Sequence, residues 1–195
     1  MTNKFIDECI EVAELPFYDE VLSELEGMSS MRNRTLLNLL CRDKKYLEVG
    51  TNKGSTLISA CYKNGATGLA YDDYRRFGHH EAYVNKLINK YKVDARLIVA
   101  DGMTHKEGKF DVIHYDGDHA YESCYDALEY FKDFLNKDGI FIVDDLNFEP
   151  TKQAVLTFVK DYKVRKTWYL FAEKSNGVNK FDLDGWFNGV AILKP

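Results

Sequence analysis

Asp116, Gly117, Asp118 and His119 form a short acidic run that ends in an imidazole, and Asp144 and Asp145 form a second acidic pair farther along. Carboxylates gathered in a small space repel one another unless a proton or a cation stands between them. Oxygen-only donors suit a hard ion such as Mg²⁺ rather than zinc. Asp116, Asp144 and Asp145 are therefore candidate metal ligands. The plainer reading is that one or two of them cap helices, because Asp is a good N-cap. His119 is the type of residue that accepts a proton near neutral pH, and with Asp116 it makes the candidate catalytic pair. Its alternative is a structural hydrogen bond in a first helical turn. His114 falls inside a strand and is expected to be packed, while His79, His80 and His105 show no partner pattern.

A second constellation precedes these acids. Glu48-Val49-Gly50-Thr51-Asn52-Lys53-Gly54-Ser55 reads as a strand end, a tight turn and a helix start. Gly50 permits close approach of a ligand, and Gly54 lets the helix begin next to the strand. The amides of that helix start could receive a carboxylate. The dinucleotide fingerprint needs a glycine where Asn52 stands, and no Gly-Lys-Ser/Thr follows, so neither a pyrophosphate cradle nor a P-loop fits. A cofactor without phosphates suits the turn better. A purely structural strand–helix turn is the alternative. Asp72 lies 22 residues past Gly50, the interval at which an acid commonly grips a ribose diol. Asp101, followed by Gly102, could accept from an adenine amino group, or could simply form a turn.

These residues need a scaffold, and the pattern supplies one. Compact apolar runs at 45–49, 68–71, 96–100, 110–115 and 140–143 read as strands buried on both faces. Helical patterns separate them at 55–62, 79–91, 121–135 and 151–162. Tyr83, Leu87, Ile88 and Tyr91 recur at helical spacing in one. Tyr121, Cys124, Tyr125, Leu128, Phe131 and Leu135 do so in another, with Gly139 as its stop. Such alternation implies a parallel sheet with right-handed crossovers. Two further strands, at 167–172 and 189–193, are joined by a segment too short for a helical crossover and are expected to form an antiparallel hairpin. The expected architecture is α/β, a Rossmann-like seven-stranded, mostly parallel sheet with helices on both faces. Residues 1–42 read as an N-terminal helical extension that caps the site or makes an oligomer contact, and 43–195 as the cofactor-binding domain. Ligands of such sheets sit beyond the carboxyl ends of the strands, where all the candidate residues fall.

Composition narrows the partners. The 195 residues, 45% hydrophobic, suffice for one domain with a substantial core. No apolar run approaches the roughly 18 residues of a membrane span, and the first residues have no apolar signal core. A cytoplasmic protein without membrane contact is the expectation. The net charge of −5 and the lack of a basic block disfavour duplex nucleic acid. Cys9, Cys41, Cys61 and Cys124 lack metal or disulfide spacing and read as reduced, buried thiols. Trp168, Tyr169, Phe181, Trp186 and Phe187 could line an acceptor pocket, although core packing is the commoner use of such aromatics.

The motifs Glu48-x-Gly50-x-x-x-Gly54, Asp72, Phe110 to Tyr121 with Asp116-Gly117-Asp118-His119, and Leu135 to Asp145 resemble class I S-adenosylmethionine-dependent methyltransferases. Within them the chain is similar to the subgroup that includes macrocin-type sugar O-methyltransferases. The resemblance covers roughly residues 27–195. It implies a cofactor site with Glu48 and Gly50 at the methionine end, Asp72 on the ribose hydroxyls and Asp101 near the adenine. Thr51, Lys53, Gly54, Ser55 and Asp116 complete the expected cofactor set. It also implies Mg²⁺ held by Asp116, Asp144 and Asp145, with His119 as base on an acceptor hydroxyl. The long insertions of the antibiotic-tailoring members are lacking, so the acceptor pocket is expected to be reduced, built differently or completed by a neighbouring subunit.

The expected reaction is Mg²⁺-assisted methylation of a small-molecule hydroxyl, sugar or diol-like, from S-adenosylmethionine. One alternative is a metal-independent methyltransferase acting on nitrogen or a carboxylate. Another is a non-catalytic cofactor-binding subunit. A nicotinamide-dependent oxidoreductase is disfavoured by Asn52.

Overall fold

The computed structural model describes residues 1–15, 19–172 and 185–195. Three helices open the chain: α1 (Asn3–Glu14), α2 (Glu20–Glu24) and α3 (Met31–Leu40). Each starts on a side chain that accepts an otherwise unpaired amide, Thr2 from Phe5, Asp19 from Val21 and Leu22, and Ser30 from Asn33. Then β1 (Lys45–Val49), α4 (Ser55–Cys61), β2 (Thr67–Asp72), α5 (Glu81–Tyr91), β3 (Asp94–Val99) and β4 (Phe110–Tyr115) alternate. They are followed by α6 (Tyr121–Phe131), β5 (Leu135–Val143), α7 (Glu149–Asp161), β6 (Lys166–Leu170) and β7 (Val190–Lys194).

One seven-stranded sheet results, in the order β3-β2-β1-β4-β5-β7-β6. The first five strands are parallel, and β7 runs antiparallel to both β5 and β6. This is the mostly parallel Rossmann-like sheet, closed by an antiparallel C-terminal pair, that the alternation of elements predicts. The chain reverses its winding at β1, between β2 and β4, so the site falls at the carboxyl ends of β1, β4 and β5.

Two expected boundaries move by more than two residues. The helix expected at 121–135 ends at Phe131, where the Lys132 amide returns to the Leu128 carbonyl, and a 3₁₀ turn at Lys132–Phe134 follows. Strand β5 begins at Leu135 instead of 140 and takes in Gly139. A Cβ on Gly139 would stand 2.9 Å from the Asp111 carbonyl oxygen. The glycine thus serves close strand packing beside an irregularity in the β4–β5 ladder, not a helix stop.

The sheet divides two apolar layers. On one face Leu57, Ile58 and Val84 pack with Leu36, Leu40, Ile140 and Ile192, and Ile6, Cys9 and Ala13 of α1 join the same cluster. The N-terminal helices thereby share a core with the sheet. The other face holds Leu47, Ile113, Leu128, Phe131, Phe141 and Phe158. Complete burial of such side chains contributes about 1.5–3 kcal/mol each before conformational entropy is charged against it. All four cysteines are free and buried. Among the described residues no helix is long and apolar enough to cross a membrane.

Candidate functional site

Backbone hydrogen bonds continue past the strand ends and fix the floor of the site. Gly50 N–H donates to Tyr71 O at 2.8 Å, Asp116 N–H to Val49 O at 2.9 Å, and Asp144 N–H to Tyr115 O at 3.0 Å. Gly50 has φ 87°, and a Cβ there would lie 2.0 Å from the Asp116 carbonyl oxygen. Only glycine lets β1 and β4 approach so closely at this point. Above the floor opens a cleft of about 1050 Å³.

Gly50, Asp72, Asp101, Asp116, His119, Asp144 and Asp145 all line this cleft, as do Asn52, Tyr74 and Phe148. Glu48, Thr51, Lys53, Gly54 and Ser55 do not, although the turn they form shapes one wall. Glu48 is fully buried beneath the floor. Its carboxylate accepts Tyr46 O–H at 2.5 Å and Thr56 O–H at 3.0 Å. Lys53 pairs with Glu26 at 3.1 Å, outside the cleft. The Ser55 hydroxyl bonds that of Ser29 at 2.9 Å, tying α4 to the segment before α3. Arg34 braces the same segment, donating to Ser29 Oγ at 2.9 Å and to Leu22 O at 2.7 Å. A Cβ on Gly54 would meet Val84 at 3.1 Å, so this glycine serves helix–helix packing. A strand–turn–helix motif marks a neighbourhood, and only the side chains on its open side can reach a ligand.

Asp72 works as a clamp. Its Oδ2 accepts the amides of Thr51 (3.0 Å) and Asn52 (2.7 Å), and its Oδ1 accepts that of Tyr74 (2.7 Å). The loops after β1 and β2 are thereby joined through one carboxylate. Asp101 Oδ1 caps a 3₁₀ turn through Met103 N–H at 2.9 Å, which realises its turn-forming alternative while leaving the residue at the cleft wall.

The acidic cluster is arranged around two histidines. His114 is buried, with Nδ1 2.9 Å from Tyr46 Oη, 3.7 Å from Glu48 Oε2, and Nε2 3.8 Å from Asp144 Oδ2. Burial alone would lower its pKa. The flanking Asp144 and Glu48 carboxylates outweigh that and raise it to about 10. His119 Nδ1 lies 3.1 Å from Asp145 Oδ2, and its ring stacks on Phe148 at 5.4 Å and 6°. Asp145 Oδ1 accepts from Asn188 Nδ2 at 2.7 Å. Burial, then the charge of Asp144, raises the Asp145 pKa to about 6 against the pull of His119 and Asn188. Burial, then Asp144 and Asp145, pushes Asp116 well above the usual carboxylate range.

These contacts lend no support to the Mg²⁺ site expected at Asp116, Asp144 and Asp145. Both Asp145 oxygens are engaged, by His119 and Asn188. Asp144 Oδ1 accepts the Asp145 amide at 2.9 Å, and its Oδ2 faces the His114 ring. Burial and then the neighbouring carboxylate charges raise both Asp116 and Asp145. Among the described residues no three His, Cys, Asp or Glu side chains form a metal-binding group.

Several contributors were invisible in the sequence pattern. Asn188 lies 43 residues beyond Asp145, with no motif to announce it. Arg76 makes a two-pronged pair with Asp118, at 3.0 and 3.2 Å, along the cleft rim. Of the five late aromatics, Trp186 is buried in the core and Trp168 donates to Asp7 at 2.6 Å. Tyr169 is half-buried on β6, Phe187 lines the cleft, and Phe181 lies outside the described residues.

With the geometry in view, comparison with known proteins gives a consistent picture. A family model described as a methyltransferase domain matches residues 47–146. No curated protein matches the chain. Among solved structures, the O-methyltransferase TomG of Streptomyces achromogenes, determined in complex with SAM, is similar at 14% identity with a TM-score of 0.64. That match covers 100% of this chain and 99% of TomG. An O-methyltransferase of Bacillus cereus in complex with SAH gives 14% identity and a TM-score of 0.59, over 100% of this chain and 92% of the other. The SAH-bound methyltransferase PaMTH1 of Podospora anserina gives 18% and 0.60, over 100% and 88%. At these identities the likeness shows the fold.

Proposed function

We propose, from the premise that this chain belongs to the methyltransferase-domain family, that it moves the methyl group of S-adenosylmethionine to a hydroxyl of a small molecule. The observation that carries the choice of oxygen as acceptor is the His119–Asp145 pair at 3.1 Å in the wall of the cleft. With Nδ1 held by the carboxylate, the imidazole keeps its other nitrogen available to take a proton, as in other base–orienter pairs. The stacked Phe148 ring fixes the plane of that imidazole. The structural neighbours named as O-methyltransferases and bound to SAM or SAH support the same reading.

S-adenosylmethionine supplies an activated methyl group, so the chain's task is to hold two reactants in line and remove a proton. The Gly50 turn and Asp72 would seat the nucleoside side. Asp116, whose carboxyl is pushed above the usual range by burial and then by its acidic neighbours, would face the transfer point. His119 would take the acceptor's proton while Asp145 stabilises the resulting imidazolium. Of the rival readings, a non-catalytic binding subunit gives no reason for an oriented histidine. The pairing of His119 with a carboxylate equally favours a hydroxyl over an amine acceptor, which is already a nucleophile once neutral. Cytoplasmic residence and self-association remain the sequence-based expectations and enter no step.

The test uses methyl-labelled S-adenosylmethionine with a set of simple acceptors, catechol, glycerol and a methyl hexoside. Label transferred to an oxygen of one of them by the wild-type chain, and lost in His119→Ala, is the expected result. Transfer undiminished in His119→Ala removes the base assignment.

A further inference from the structure

Asp72 is too fully occupied to hold a ribose by itself. A carboxylate offers about four lone-pair sites. Three are filled by the amides of Thr51, Asn52 and Tyr74. One acceptor site remains, whereas a ribose diol brings two O–H donors and two oxygens that accept.

The missing partners stand on either side of that carboxylate. Tyr74 is 9% exposed, lines the cleft, and its hydroxyl has no hydrogen-bond partner among the described residues. Asn52 also lines the cleft, and its Oδ1 is buried and equally without a partner there. Leaving a buried polar atom unsatisfied is costly, and such atoms on the wall of an open cleft are best explained by a ligand that completes them. Both residues are fixed by Asp72 through their own amides, so one carboxylate aligns all three groups. Both also hold left-handed backbones, Tyr74 at φ 55° and Asn52 at φ 45°. For a bulky tyrosine this conformation is unusual, and strain of that kind persists where the surroundings enforce it. The ring is boxed edge-on by His79 and His80, with centroids at 5.0 and 6.2 Å. Burial, then the Asp72 charge, pushes the phenol upward, so it stays a donor.

We infer that Tyr74 and Asn52 are nucleoside-binding residues that share the ribose diol with Asp72. Tyr74 O–H donates to a ribose oxygen, Asn52 Oδ1 accepts one ribose O–H, and Asp72 accepts the other. The inference rests on the proposed S-adenosylmethionine reading, and names two contacts that the glycine motif and the acid after β2 do not reveal.

The test is calorimetric titration of the full chain with S-adenosylhomocysteine and with 5′-methylthioadenosine, which keeps the nucleoside but lacks the amino-acid end. Tyr74→Phe keeps the boxed ring, and Asn52→Gly keeps the left-handed backbone, so each removes little besides the polar atom. Each is expected to weaken both ligands about tenfold, with an unchanged thermal midpoint. Unchanged affinity in both variants overturns the inference. Loss confined to S-adenosylhomocysteine also overturns it, since the contact would then lie at the amino-acid end. A wild-type chain that binds neither ligand removes the cofactor reading itself, an outcome distinct from a variant that binds as well as wild type.

Discussion

The Nδ1 of His119 and the Oδ2 of Asp145 stand 3.1 Å apart, joining the loop after β4 to the loop after β5. Asp145 holds a left-handed backbone, φ 59°, and its second oxygen is tied to Asn188 beside β7. Three segments distant in sequence therefore meet to orient one imidazole. Removing the base should lower methyl transfer by about 10²–10⁴ in His119→Ala. Asp145→Asn should lower it less, and both should leave S-adenosylhomocysteine affinity near wild type. Steady-state rates with parallel calorimetry check this; equal loss of binding and rate would place His119 in cofactor binding instead.

Chelation should have little effect. Among the described residues Asp116, Asp144 and Asp145 form no metal-binding group, and Asp144 and Asp145 bond a backbone amide, His119 and Asn188. Methyl transfer measured in excess EDTA is expected to stay within about twofold of the untreated rate, well short of the tenfold or greater loss typical of disturbing a metal site. A loss restored by Mg²⁺ would return the three aspartates to the metal-ligand role expected from the sequence.

Stability should fall as the solution becomes alkaline. A raised folded-state pKa at His114 means the protonated ring stabilises the fold. That contribution is complete below the ordinary histidine value of 6.5 and is lost as pH rises toward about 10. Asp145, raised to about 6, acts in the same direction at lower pH: its contribution is complete below the ordinary aspartate value of 3.8 and lost as pH rises through about 6. Melting temperatures of the wild type should therefore drop between pH 7 and 10, by an amount on the order of a few kcal/mol in free energy. His114→Gln should be less stable at pH 7 and show a flatter profile over that range. Parallel profiles for the two chains would contradict the account.

Gly50→Ala should be damaging far beyond a usual surface substitution. The new methyl group would stand 2.0 Å from the Asp116 carbonyl, on a backbone at φ 87°. A cost of about 2 kcal/mol or more is expected from strain and the forced separation of β1 from β4. Urea unfolding measures it. Gly108→Ala is the control, because a Cβ there meets nothing within 4 Å although its φ is also positive, at 99°.

The sheet was legible because each strand is a short apolar run and each crossover helix carries its own stripe, as in Tyr121, Cys124, Leu128 and Phe131. The site was legible as a neighbourhood, since strand ends converge in this topology. Its individual contacts were less so. Glu48 and Ser55 sit in the motif yet point into the protein, and sequence spacing does not tell which side of a turn a side chain takes. Asn188 and Phe187 reach the site only through the antiparallel return of β7, a long-range pairing without a local signal. The metal expectation rested on the number of carboxylates. The structure shows that two of the three are already bound to neighbours whose positions depend on tertiary folding.

The central claim is that this cleft binds S-adenosylmethionine, and calorimetric titration of the full chain with S-adenosylhomocysteine, with NAD⁺ as comparison, tests it most directly. Saturable one-to-one binding of S-adenosylhomocysteine with no heat from NAD⁺ is the predicted result. Binding of NAD⁺, or no binding of S-adenosylhomocysteine at millimolar concentration, would contradict it.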